Sequence, residues 1–99
     1  MKKIKDWQVD ILSKRFTIHW QAPPGGKDYG QCESGKCLIL VDPKQHAEQQ
    51  KDTLLHECVH ALDHELDTGM REKQVRLIST GLVHFLRNNP EVVKWIMEH

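Results

Sequence analysis

No stretch of this 99-residue chain strings together the roughly 18 apolar residues that a membrane-spanning helix needs, so no such helix is predicted. Cysteine is scarce: Cys32, Cys37 and Cys58 are the three present. That small, odd number argues against a disulfide framework and suits a reducing compartment. An excess of either charge is lacking as well, since fourteen Lys and Arg offset fourteen Asp and Glu. Zero net charge provides no global field to draw nucleic acid or an anionic membrane, and neither is an expected partner. The start carries Lys2, Lys3 and Lys5 without an apolar run behind them, so no signal peptide is read there and a cytoplasmic location is expected. A chain this short builds one core, hence one domain over residues 1–99. The compositional excess is histidine, with seven.

Proline and glycine are few, and they cluster. Two prolines and four glycines fall between Ala22 and Gly35, which predicts a loop there. Before it, Val9 to Leu12 and Arg15 to Trp20 gather β-branched and aromatic residues around a Ser13-Lys14 break, the pattern of a β-hairpin. After it, Lys36 to Asp42 is a short apolar run stopped by Pro43 and reads as a buried or half-buried strand. From about Gln45 to Leu66 the spacing turns helical, with Leu55, Val59, Leu62 and Leu66 as the expected core stripe. Gly69 is the expected left-handed residue ending it. A second helix is predicted over about Arg71 to Arg87 through Val75, Ile78, Leu82, Phe85 and Leu86. Asn89-Pro90 then starts a short third helix containing Val92, Val93, Trp95 and Ile96, expected to pack as a lid on the core.

Inside the long helix stands His56-Glu57-Cys58-Val59-His60, a match to H-E-x-x-H. Residues four apart on a helix differ by about 40° in rotation and about 6 Å in rise, so both imidazoles share one face and can share one ion. Zinc accepts neutral imidazole, and a catalytic site holds it with three protein ligands. Glu57 is then placed to act as general base, taking a proton from the attacking water and passing it to the leaving amine. Short patterns of this kind also arise by chance on solvated helix faces. Here the apolar flanks Thr53-Leu54-Leu55 and Ala61-Leu62 bury the helix, and burying two imidazoles and a carboxylate is costly unless they are paired or bind metal.

Several residues compete as third ligand. The metzincin extension needs Gly at 63 and His or Asp at 66, whereas the chain has Asp63 and Leu66. His64 lies about 12 Å in rise from His56, too far to share an ion comfortably. Asp63 could accept the distal N–H of a ligating imidazole and set its tautomer. Glu72 shares a stripe with Val75, Ser79, Leu82 and Leu86 and points toward the packed interface, which makes it the best candidate. A residue that merely favours the helix dipole is the other reading of Glu72. Cys32 and Cys37 have a spacing within range of one half of a zinc knuckle but no second pair to complete four ligands, and read as hairpin residues flanking a turn. Cys58 faces the core, and His19, His46, His84 and His99 read as surface residues without evident partners.

Taken together, Tyr29-Gly30-Gln31-Cys32, Leu38 to Pro43, Thr53 to Asp63, Glu72 to Val75 and Asn88-Asn89-Pro90 make the chain resemble the small metallopeptidases of phages and prophages, relatives of the ImmA/IrrE-type and other minimal gluzincins. The resemblance covers most of the chain. It implies Zn2+ held by His56, His60 and Glu72 with Glu57 as catalytic base, and a protein or peptide substrate in the host cell cytoplasm. It also implies a strand beside the active-site helix, here Leu38, Ile39, Leu40 and Val41, whose free edge binds extended substrate. The expected fold is α+β, a minimal zincin with a small N-terminal sheet packed on the H-E-x-x-H helix and one or two C-terminal helices. A zincin-fold binding module, catalytically weak or inactive and acting on a host or phage protein, is the alternative, and a purely structural zinc site a third.

Overall fold

A computed structural model describes residues 4–99, so Lys2 and Lys3 of the N-terminal basic cluster lie outside the described residues. The architecture is α+β, a four-stranded sheet followed by three helices. Strands β1 (Trp7–Ile11) and β2 (Lys14–Trp20) form the expected hairpin. Their turn is Leu12-Ser13, one residue earlier than the break read from sequence, and exposed Leu12 takes a left-handed φ of 55° to make it. Strand β3 (Gly30–Glu33) leads through a 3-10 turn, Ser34–Lys36, into β4 (Leu38–Val41). The sheet order is β1-β2-β4-β3, with β2 and β4 parallel and the other pairs antiparallel.

Two expectations are corrected by this topology. The span expected to be loop contains β3, whose Gly-Gln-Cys-Glu sequence has no apolar alternation. It becomes a strand because the turn at Ser34–Lys36 folds it back onto β4, and pairing outweighs local propensity. Leu38 to Val41 is likewise not a free edge, since β4 bonds to β2 on one side and β3 on the other. Its central position explains the burial of Ile39, Leu40 and Val41 in succession. The edge that remains beside the helices belongs to β3.

Helix α1 (Ala47–Leu66) lies on the sheet. Phe16, Ile18, Ile39 and Val41 from the strands meet Ala61 of α1, with Leu54 and Cys58 packed against the same cluster. Cys58 thus faces the core as expected, but the helix's inner stripe is not the leucine one. Leu62 and Leu66 are exposed, while Thr53, Glu57, Val59 and Ala61 are buried. Helical period reports which residues share a face, and the sheet selected a face shifted toward the polar motif. Helix α2 (Glu72–Asn88) packs on α1 through buried Val75, Ser79 and Val83, leaving Ile78, Leu82, Phe85 and Leu86 exposed. Helix α3 (Pro90–Met97) has no buried residue and does not close over the core. No described helix is long and apolar enough to cross a membrane.

The entry to α1 is tied down by side chains. Gln45 donates through Nε2 to the Asp42 carbonyl at 2.9 Å and accepts from the Thr53 hydroxyl at 2.8 Å. Gln50 donates to the carbonyls of Pro43 and Gln45. These bonds hold the end of β4 against the helix that carries the motif.

Candidate metal centre

His56 and His60 stand one turn apart on α1, ring centroids 4.8 Å apart and planes at 69°. Both Nε2 atoms point to the same place, 3.1 Å from each other. Glu72, the first residue of α2, reaches that place from across the turn, with Oε1 2.8 Å from His56 Nε2 and Oε2 2.8 Å from His60 Nε2. Donor atoms of all three residues lie within 4.8 Å of one another. Of the competing sequence candidates for third ligand, the structure brings Glu72 to the two imidazoles. His64 is exposed on α1.

Convergence of this kind has a chemical consequence. The two ring nitrogens lie 3.1 Å apart, and each has a Glu72 carboxylate oxygen 2.8 Å away, so one carboxylate bridges both imidazoles. Two imidazoles with one carboxylate is a donor set that zinc accepts, and three protein ligands leave a coordination position open. The imidazoles are half-buried, whereas the Glu72 side chain is 62% exposed, so the centre opens to solvent on the α2 side.

The turn that delivers Glu72 is organised by Asp63. Its carboxylate accepts from the Thr68 hydroxyl and from the Met70 N–H, the latter at 2.9 Å. These bonds hold its pKa below the ordinary carboxylate value, with the charge of nearby His60 a smaller contribution. Asp63 therefore clamps the chain between the helices, and its hydrogen bonds run to the turn rather than to an imidazole. The left-handed residue ending α1 is Asp67, φ 52°, with Gly69, φ 69°, two residues on. Gln74 then accepts from the Arg71 N–H at 2.8 Å, satisfying one donor at the start of α2.

Glu57 points to the sheet side of α1 and is 6% exposed. Burial, reinforced by the negative charges of Glu72 and Asp28, pushes its pKa up to about 7. Strand β3 passes directly over it. A Cβ built on Gly30 would sit 2.5 Å from Thr53 Cγ2 and 2.9 Å from Glu57 Oε2. Only glycine lets the strand come this close to the carboxylate. Gly30 was not singled out by spacing or periodicity. Its place beside Tyr29, Gln31 and Cys32 in the resemblance was the available signal.

A cavity of about 660 Å³ joins these parts, with His56, Glu57, His60 and Glu72 on its wall together with the β3 residues Gly30, Gln31 and Cys32. Asp28 and Asp52 line it as well, as does Arg76, one turn beyond Glu72. The cavity thus carries charges of both signs. Elsewhere, His19 bonds to Asp6 at 2.7 Å and to Gln21 at 2.9 Å, so it has partners that the sequence did not suggest. Arg15 pairs with Asp10, and Lys14 with Glu65, so both of these cations have an acidic partner. Cys32, on β3, and Cys37, just before β4, flank the 3-10 turn, and all three cysteines are free thiols. Searched against protein-family models, curated proteins and solved structures, the chain matches none.

Proposed function

We propose that this chain is a zinc-dependent metallopeptidase of the minimal gluzincin kind, acting on a protein or peptide in the cytoplasm. The supporting observation is the meeting of His56, His60 and Glu72 on one point beside a buried Glu57. Held by those three residues, zinc supplies Lewis acidity that polarises a peptide carbonyl and acidifies water. Glu57 takes the proton from the attacking water and returns it to the leaving amine. Burial raises the Glu57 pKa above the ordinary carboxylate range, which makes it a better proton acceptor than a solvated carboxylate. Gly30 keeps β3 against Glu57, limiting where the carboxylate can move. The open edge of β3 on the cavity wall offers main-chain groups to an extended peptide, the role that sequence resemblance had assigned to β4.

The test joins metal analysis to cleavage. Purified wild type is expected to hold one zinc per chain, and His56→Ala to lose it. Glu57→Gln is expected to retain zinc and fold while cleavage falls by about 10²–10⁴-fold. Comparison of new protein termini in cells carrying wild type or Glu57→Gln identifies the substrate. A wild type that binds no zinc overturns the proposal, and biological activity that survives Glu57→Gln replaces the enzyme with a binding module.

A further inference from the structure

The helices leave an apolar surface that neither the sheet nor the metal centre uses. Helix α3 is eight residues long and buries none of them, with Val92 45%, Trp95 73% and Ile96 58% exposed. A helix that short is marginal in water, where isolated helices need roughly 12–15 residues, so it depends on packing to persist. Between α1 and α2 lies an apolar groove of about 340 Å³, lined by Leu54, Leu55, Cys58, Val83 and Leu86, which α3 of the same chain does not line. Lys51 and Arg87 also line it, and each is paired with Glu48. The groove therefore presents carbon, with its flanking charge already compensated.

The total surface points the same way. The chain exposes 7592 Å² at a mass of 11.6 kDa. A compact monomer of that mass exposes about 5,800 Å², so the excess is about 1,800 Å². A standard interface removes about 800 Å² from each partner, and obligate dimers remove more. The excess is therefore of the size a dimer interface covers. Zero net charge means that two copies do not repel.

We propose that a second copy of this chain covers this face, with α3 of each copy seated in the α1/α2 groove of the other. The arrangement is isologous: one operation places both apolar helices in both grooves. It is independent of the metal centre, whose residues lie on the other cavity.

Sedimentation equilibrium tests it on the full chain, across about 1 to 100 μM, a range that brackets micromolar association. Wild type is expected at twice the 11.6 kDa chain mass. Trp95→Glu removes the inserted side chain and Leu86→Glu spoils the groove, and each alone is expected to sediment as a monomer. Both positions are exposed in the single chain, so helix content by circular dichroism checks that each variant stays folded. Mixed together, the two variants retain one intact helix and one intact groove, and are expected to recover dimers that neither forms alone. A wild type that stays at the single-chain mass, or that associates only with phospholipid vesicles, overturns the proposal. So does a Trp95→Glu variant that dimerises like wild type, or a mixture that shows no recovery.

Discussion

Glu57 and Gly30 form a unit in which a missing side chain matters as much as a present one. The carboxylate is buried because β3 passes over it, and β3 passes that close because position 30 has no Cβ. Gly30→Ala is therefore expected to displace the Glu57 carboxylate while leaving the imidazoles alone, since the contacts its methyl group would make fall on Thr53 and Glu57. If the site is a peptidase, kcat should drop by about 10²-fold, the cost of an ångström of misplacement, with zinc content unchanged. Metal analysis beside steady-state kinetics checks this, and an unaltered kcat would show that the close approach does not position the base.

Glu72 reaches the imidazoles only because the segment between α1 and α2 has a defined shape, and Asp63 holds that shape through Thr68 and Met70. Its hydrogen bonds act on the ionised form, so its folded pKa lies below the ordinary 3.8. A depressed carboxylate pKa contributes stability that is present above the unfolded value and is lost as pH falls through the folded one. Asp63→Asn is thus expected to have a lower urea midpoint than wild type at pH 7, with the gap narrowing in acid below the unfolded value. Urea titrations at several pH values measure it. A constant gap down to the acid limit would remove ionised Asp63 from the account. The same variant is expected to weaken zinc binding, because a looser turn leaves Glu72 free to swing away.

For the whole molecule, the consequence is that a metal at this site joins two helices. His56 and His60 come from α1 and Glu72 from α2, and a ligand that binds only the folded arrangement stabilises it by mass action. Zinc at about 100 times its dissociation constant is worth about 2.7 kcal/mol. For a domain of this length, that is an increase of about 10–20 °C in Tm. Differential scanning calorimetry with zinc and then with excess chelator should show the rise and its reversal, and Glu72→Ala should abolish most of it. A Tm indifferent to zinc would mean that the three side chains do not act together on an ion.

Local pattern was enough to read the hairpin, the three helices, the pair of histidines one turn apart and the α2 face that sets Glu72 in line with buried Val75 and Ser79, because each depends on residues close in sequence. Strand β3 was not readable, since a Gly-Gln-Cys-Glu segment becomes a strand only when β4 is there to pair with it. The free edge was assigned to β4 for the same reason, and strand order is a matter of distant segments. Nor did periodicity reveal that Leu62, Leu66, Leu82 and Leu86 stay exposed, because it identifies a face without identifying what covers it. Chain-local chemistry placed two donors on one helix. Bringing the third to them, and burying Glu57 beneath a glycine, required the turn at Asp63 and the sheet, which exist only once the chain has closed on itself.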